Sequence, residues 1–208
     1  METEEKQLKI DNFMMDKAFR TSKEAYCKRL KVGAIFSKNN RALIDGYNGT
    51  IKGADNMCEE PTGNILTKEQ RCFSHMTDIK NSKTTKEFNE NCKKALNHYS
   101  IEPLEIINAV PCTMPGDFTP QDYTIEYTIN EMRTSDYVVH AEQNIIYYAA
   151  KEGISLDGGT LYITHSPCKQ CSKAIIASGI KRVVYSRNYR DENGIEFLKN
   201  NGVIIDRI

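Results

Sequence analysis

The 208-residue chain carries 28 Lys and Arg against 28 Asp and Glu, so its formal net charge is zero, and 39% of its residues are hydrophobic. These values exclude a disordered chain and argue against a protein that grips long nucleic acid, which needs a basic face. The longest hydrophobic run is Ile145 to Ala150, too short to span a bilayer. The polar N-terminus lacks the apolar region of a secretory signal. We therefore expect a cytoplasmic protein with no membrane partner, whose cysteines are thiols or metal ligands instead of disulfides.

The N-terminal third predicts a helix followed by a hairpin. Apolar residues at helical spacing predict a helix over residues 8–28. Two short apolar runs, VGAIFS (32–37) and RALIDG (41–46), are joined by the turn sequence KNN and predict two antiparallel strands. A glycine-rich loop, GYNGT (46–50), follows them.

The stretch from about residue 56 to 139 differs from the rest because it is polar and has little apolar periodicity. We predict a short exposed helix within residues 80–96. A second helix is predicted over residues 119–132, with Thr119 as its cap and Pro120 in its first turn. The whole stretch is interpreted as an insertion into a single domain that spans residues 1–208.

Beyond Val138 the pattern becomes regular. Helices are predicted over residues 140–153, 167–178 and 192–202, and strands over 159–165, 181–186 and 203–206. Such alternation favours parallel strands with helices on both faces. Together with the hairpin, it predicts a three-layer α/β/α architecture around a central mixed five-stranded sheet.

Two short motifs point to metal chemistry, HAE (140–142) and PCKQC (167–171), and each opens a predicted helix. One His and two Cys supply three zinc ligands and leave a fourth position open, as catalytic sites do. Cys168 and Cys171 lie on the same side of a first helical turn, where the helix dipole favours thiolates. Glu142 could move a proton between water and substrate. Alone, Cys-x-x-Cys also fits a redox pair or a structural zinc site, but the two motifs together form the signature of zinc nucleobase deaminases.

At these residues the sequence resembles the cytidine/deoxycytidylate deaminase superfamily, and within it the deoxycytidylate (dCMP) deaminases of phages and bacteria. The matching stretches are CKRLKVGAI (27–35), DGYNGTIKG (45–53), HAEQN (140–144) and the segment 159–185. The resemblance implies a cytidine-deaminase-like fold and zinc-dependent hydrolysis of dCMP to dUMP and ammonia, supplying dUMP for thymidylate synthesis. It also implies that His140, Cys168 and Cys171 bind the catalytic zinc and that Glu142 is the proton shuttle.

The resemblance extends to residues that would bind the nucleotide substrate. Asn48 matches an asparagine that contacts the sugar, although Asn-Gly is also a common turn pair. Tyr189 matches an aromatic residue that packs near the pyrimidine, with an ordinary rim or core residue as the alternative. Arg29 lies beside the first strand, where it could face the 5′-phosphate or only solvent.

Some family members hold a second, structural zinc, and Cys27 and Cys58 match two of its ligand positions. Cys72 and His75 lie close enough in sequence to complete a four-ligand site, and buried thiols are the alternative. The family also suggests dCTP and dTTP as effectors and a homo-oligomer such as a hexamer. Ile51 replaces the proline that is usual in the glycine-rich loop, which weakens the expectation of effector binding.

Two other functions remain open at this point. One is a deaminase of another nucleotide or base, such as dCTP, guanine or tRNA adenosine, although zero net charge argues against a tRNA substrate. The other is a zinc-stabilised binding module that has lost catalysis. Glu142 argues against such a module, because an inactive site has no need for that carboxylate.

Overall fold

The computed structural model describes residues 2–72, 79, 82–98, 101, 103–111, 123–190 and 192–208. These residues divide into two compact units, one formed by Met1–Glu59 with Thr134–Ile208 and the other by Glu60–Arg133. In chain order the elements are α1 (Glu2–Ser22), β1 (Gly33–Lys38), β2 (Arg41–Tyr47), β3 (Gly49–Thr50), β4 (Glu59–Cys72), α2 (Thr85–His98), β5 (Glu105–Pro111), β6 (Tyr123–Thr134), β7 (Val138–Val139), α3 (Ala141–Glu152), β8 (Thr160–His165), α4 (Lys169–Ala177), β9 (Arg182–Arg187), α5 (Asn193–Asn200) and β10 (Ile204–Arg207).

The first unit is built on a five-stranded sheet with the order β10-β9-β8-β1-β2. Strand β9 pairs in parallel with both β8 and β10, whereas β1 pairs antiparallel with β8 and with β2. The β1–β2 turn places Asn39 and Asn40 at φ 51° and 60°, left-handed conformations that asparagine tolerates. The predicted mixed sheet and its hairpin are therefore confirmed.

Helices cover both faces of this sheet because its strand residues alternate between two cores. On β1, Ala34 and Phe36 belong to a core shared with α3, α4 and α5, whereas Ile35 belongs to a core shared with α1. Helix α1 lies so close to the sheet that a Cβ at Gly33 would come within 2.1 Å of the Ala18 carbonyl oxygen. The three-layer prediction is confirmed.

The predicted first helix, residues 8–28, has the wrong bounds, since α1 runs from Glu2 to Ser22. Its C-terminus ends in a hydrogen-bonded turn, in which the Ser22 hydroxyl donates to the Phe19 carbonyl at 2.8 Å and the Lys23 amide donates to Arg20. These bonds satisfy carbonyls that have no partner within the helix. Ala25 is buried, as its apolar character suggested, but it lies beyond the helix.

A buried ionic cluster ties α1 to the sheet. The Asp11 side chain is 5% exposed, and its carboxylate accepts two bonds from the Arg182 guanidinium, at 2.8 and 2.7 Å. The Tyr162 hydroxyl also donates to it, at 2.7 Å, and Gln7 donates at 2.9 Å. Burial opposes the charge on Asp11, but these donors, Arg182 foremost, keep its pKa below the usual value of 3.8. Arg182 also binds Asp206, at 2.6 Å.

The second unit contains a three-stranded sheet with the order β4-β6-β5 and the helix α2. Its core joins Cys92 and Leu96 of α2 to Ile106 of β5 and to Ile125 and Tyr127 of β6. The predicted helix at 80–96 is confirmed with shifted bounds, and its core-facing side is buried. The predicted helix at 119–132 is wrong from Tyr123 onward, where the chain forms β6. Residues 112–122, including the proposed cap Thr119, lie outside the described residues.

In the C-terminal half the predicted order of helices and strands is confirmed, with bounds shifted by a few residues. Helix α3 ends at Gly153, which has φ 68°, and Gly179, with φ 80°, follows α4. A glycine in this left-handed conformation is a common helix terminator. Among the helices that the structure describes, none is both long enough and apolar enough to cross a membrane.

Candidate active site

The two predicted motifs lie at the first turns of α3 and α4. His140 is the N-cap of α3 and Cys168 the N-cap of α4, and both have extended backbone conformations. The Gln143 side chain accepts a hydrogen bond from the His140 amide at 3.0 Å, which fixes the start of α3. Strand β8 ends three residues before Cys168 and delivers the second motif to the same edge of the sheet.

The predicted metal ligands form one cluster. Nδ1 of His140 lies 3.4 Å from Sγ of Cys171 and 3.8 Å from Sγ of Cys168, and the three ligand atoms lie within 4.8 Å of one another. Around a tetrahedral zinc with bonds of about 2.0–2.3 Å, ligand atoms are about 3.5–3.8 Å apart. The donor set therefore fits a zinc ion with one open position. Among the residues that the structure describes, no other group of three or more His, Cys, Asp or Glu side chains is close enough to hold an ion.

Hydrogen bonding in the cluster favours a thiolate at Cys168. The Cys171 thiol bonds to the Cys168 sulfur and lowers the pKa of Cys168 to about 4. The same contact, with burial, raises the pKa of Cys171. The bond to Cys168 also raises the pKa of His140 against the opposing effect of burial. The thiolate, not the thiol, is the form of cysteine that binds metal. The lowered pKa of Cys168 therefore favours cation binding at this cluster.

Glu142 lies beside these residues but is not one of the metal-binding group. Its side chain is buried, with the residue 4% exposed, and burial raises the pKa of its carboxyl to about 7. A carboxyl with a pKa near neutrality can both accept and donate a proton under physiological conditions. The structure thus gives Glu142 the environment that a proton shuttle requires.

One cavity of about 400 Å³ adjoins the cluster, a volume in the range of small-molecule sites. It brings together, from widely separated parts of the first unit, the predicted metal-binding, catalytic and substrate-binding residues. Its lining includes His140, Glu142, Cys168, Asn48, Tyr189 and Arg29. The three residues predicted to contact the nucleotide therefore line the same cavity as two of the predicted metal ligands, His140 and Cys168.

Asn48 is 9% exposed, and its amide contacts the backbone of the segment before β1. Its Oδ1 accepts a hydrogen bond from the Val32 amide at 2.7 Å, and its Nδ2 donates to the Leu30 carbonyl at 2.8 Å. The amide thus holds the wall of the cavity in place. One amide hydrogen and one oxygen lone pair are left by these two bonds for other partners.

Two cavity residues that the sequence did not single out contact Tyr189. The Ser166 hydroxyl accepts a hydrogen bond from the Tyr189 amide at 2.7 Å, and the Arg190 guanidinium lies 5.5 Å from the centre of the Tyr189 ring. Both Ser166 and Arg190 line the cavity. The available sequence signal was the position of Ser166 directly before the Pro-Cys of the metal motif.

His165 also lines the cavity and is only partly buried, although the sequence analysis gave it no role. Its Nδ1 lies 3.1 Å from the Thr164 hydroxyl, which itself accepts a hydrogen bond from the Gly33 amide. Burial, together with the nearby charge of Arg187, lowers the pKa of His165. The lowered pKa favours the neutral form of this imidazole.

The structure corrects one expectation about the cysteines. Cys27 and Cys58 are joined in a disulfide, because the segment after α1 and the segment before β4 bring their Cα atoms to 5.0 Å. Sulfurs bonded to each other are not free thiolates, so the structure does not support a second zinc on Cys27 and Cys58. The other two proposed ligands, the Cys72 side chain and His75, lie outside the described residues.

Comparisons with known proteins indicate the family of the chain. Residues 8–187 match the family described as "Cytidine and deoxycytidylate deaminase zinc-binding region". Deoxycytidylate deaminase of Enterobacteria phage T4 is 31% identical over 193 residues, covering 89% of this chain and 83% of the relative. The enzyme of the same name from Saccharomyces cerevisiae is 40% identical over 196 residues, covering 94% of this chain and 43% of the relative. The crystal structure of dCMP deaminase from cyanophage S-TIM5 in complex with dCMP and dUMP matches with 27% identity and a TM-score of 0.59, covering 96% and 97% of the two chains. The chain belongs to the cytidine and deoxycytidylate deaminase family.

Proposed function

We propose that this protein deaminates dCMP hydrolytically to dUMP and ammonia and depends on zinc for the reaction. The observation that carries the proposal is the buried Glu142 carboxyl beside the His140, Cys168 and Cys171 cluster, at the wall of a nucleotide-sized cavity. Relatives over most of the chain are named deoxycytidylate deaminase, and the related cyanophage enzyme was crystallised with dCMP and dUMP.

The reaction adds water at C4 of the pyrimidine and releases the exocyclic nitrogen as ammonia, so two proton transfers must accompany it. A zinc ion held by the three ligands would activate the water for attack. Glu142 would accept a proton from that water and return it toward the departing nitrogen. Its raised pKa suits both transfers, because near pH 7 the carboxyl can be either protonated or ionised at little cost in free energy.

The other cavity residues are assigned to the nucleotide. Asn48 would contact the sugar through the bonding capacity that its two backbone contacts leave. Tyr189, held by Ser166, would cover the base. Arg29 would meet the 5′-phosphate, which a protein without net charge must recognise locally. What supports these roles is that all three residues line the same cavity as Glu142.

A panel of substrates tests the proposal: dCMP, CMP, dCTP, deoxycytidine and guanine, with ammonia release as the measurement. We expect dCMP to have the highest kcat/KM, exceeding that of deoxycytidine about tenfold to a hundredfold, the value of a charge-assisted phosphate contact. Equal kcat/KM values for dCMP and deoxycytidine would indicate that the protein is a nucleoside deaminase instead. Binding of dCMP without any ammonia release from zinc-loaded protein would support a binding module instead.

The assembly proposed for the enzyme is a homo-oligomer. Tyr147 and Tyr148, in the middle of α3, are 57% and 50% exposed, which is more aromatic surface than a monomer needs on one helix. Light scattering coupled to size exclusion measures the mass directly, and a monomer at micromolar concentration would contradict the proposal. Effector binding by dCTP and dTTP stays a prediction from the family resemblance.

A further inference from the structure

The segment Cys27–Val32, which we call the arginine loop, carries Arg29 along one wall of the cavity. It contains no helix or strand residues, yet side chains from outside the loop bind the backbone of four of its six residues. Cys27 is linked to Cys58, and Asn48 binds the Leu30 carbonyl and the Val32 amide. Irregular backbone is usually mobile, and ordering it costs conformational entropy. The many contacts to this loop therefore indicate that its exact position matters.

Glu59 accepts hydrogen bonds from the backbone of Arg29 and of its neighbour Lys28. One carboxylate oxygen accepts a hydrogen bond from the Arg29 amide at 3.0 Å, and the other accepts one from the Lys28 amide at 3.3 Å. Glu59 is the first residue of β4, directly after Cys58, so its own backbone is anchored. Glu59 also lines the cavity.

A carboxylate is an unexpected group in a cavity assigned to an anionic nucleotide, because like charges repel. The two backbone bonds resolve this conflict. Both oxygens of Glu59 are directed at amide hydrogens, and a charge-assisted pair of this kind is stronger and more directional than neutral bonds. The negative charge is therefore used to orient the backbone from which the Arg29 side chain projects.

We propose that Glu59 is a positioning residue for phosphate recognition, holding the Lys28–Arg29 backbone so that the Arg29 guanidinium meets the 5′-phosphate of the nucleotide. The inference rests on the proposed function, since it takes the cavity to be the nucleotide site. Glu59 itself acts through Arg29 and has no direct part in the chemistry at Glu142.

The substitution Glu59→Gln tests this role with little change in shape. Glutamine has one acceptor oxygen and an amide group that cannot accept, so it can hold one of the two backbone amides and not both. We expect the Kd for dCMP to rise about tenfold, measured by calorimetry on zinc-loaded protein in which Glu142→Gln suppresses turnover of the substrate. In the same background the Kd for deoxycytidine, which has no phosphate, should stay within about twofold. With Glu142 intact, kcat at saturating dCMP should change as little.

Two comparisons separate positioning from a general structural effect. The matched control is Glu60→Gln, the same change one residue later, where the side chain pairs with Arg133, and it should leave both Kd values unchanged. In an Arg29→Gln background, Glu59→Gln should add almost nothing to the Kd for dCMP, because residues acting through one contact are not additive. Glu59→Asp, which keeps the charge on a shorter chain, should lie between Gln and wild type.

Equal weakening of dCMP and deoxycytidine, additive effects with Arg29→Gln, or no effect at all would each overturn the proposal. Failure of the proposed function has a different signature, namely wild-type protein that binds dCMP but releases no ammonia from it. In that case the Kd comparison still decides the role of Glu59, because it does not depend on turnover.

Discussion

Replacing Asp11 by Asn should destabilise the protein by about 3–5 kcal/mol, the usual cost of breaking a buried ion pair from one side. The structure explains why the cost should be high. The substitution removes the charge that faces the bidentate Arg182 guanidinium, whose side chain is 19% exposed. It also replaces one of the two oxygens that now receive four hydrogen bonds. For a chain of this length, such a loss lowers the Tm by at least about 6 °C.

The assay is urea unfolding at pH 7 with zinc content held equal, and the matched control is Asp206→Asn. Asp206 binds the same guanidinium through Nε, but its side chain is 42% exposed, so its removal should cost no more than about 1 kcal/mol. Equal losses in the two variants would show that burial of Asp11 does not determine the strength of the pair, and would refute the reasoning.

The pH dependence of the same pair has a defined sign. Because the folded-state pKa of Asp11 lies below 3.8, the carboxylate contributes its full stability above that value. The contribution is lost as the pH falls through the folded-state pKa, when Asp11 becomes protonated in the folded protein too. The difference between wild type and Asp11→Asn should therefore be constant near neutral pH and shrink in acid below about pH 4.

Three further predictions concern the active site. Glu142→Gln should retain zinc by elemental analysis but lose at least about a hundredfold in kcat, and near wild-type turnover would contradict its assignment as proton shuttle. His140→Ala and Cys168→Ala should each lose the metal, whereas retention of zinc in either would mean that the ligand set is different. Wild-type protein should hold one zinc per chain, and a second zinc that is lost in Cys27→Ser would show that Cys27 and Cys58 bind metal instead of each other.

The parts of the fold that could be predicted from sequence are those with local signals. Gly153 and Gly179 mark helix ends by conformations that other residues avoid, and Asn39 and Asn40 mark the hairpin turn. The helix wrongly predicted over 119–132 shows where local reasoning fails. Ile125 and Tyr127 are buried with the two-residue period of a strand, whereas the helix prediction depended on the Thr-Pro pair at 119–120. Of the two neighbours of β6 in its sheet, β5 directly precedes it in the chain, whereas β4 is separated from it by α2 and β5.

The candidate site divides in the same way. The ligand spacing in HAE and PCKQC is local, so its cluster was predicted, and the structure places the three ligand atoms within 4.8 Å. Ser166 and Glu59 act on backbone amides 23 and 30 residues away, and no pattern in the sequence indicates such partners. The link between Cys27 and Cys58 spans 31 residues and was missed for the same reason.

The path by which the chain leaves and re-enters the first unit bears on protein engineering and on evolution of the family. The outgoing and returning segments run side by side, since β3 pairs with β7 and the Ser135 amide donates to the Cys58 carbonyl at 2.8 Å. The ends left by excising Glu60–Arg133 therefore already lie next to each other, and a short turn would reconnect them. We expect the catalytic scaffold to accept deletion, replacement or exchange of this segment as a cassette, so that lineages sharing one chemistry can carry different modules at this junction.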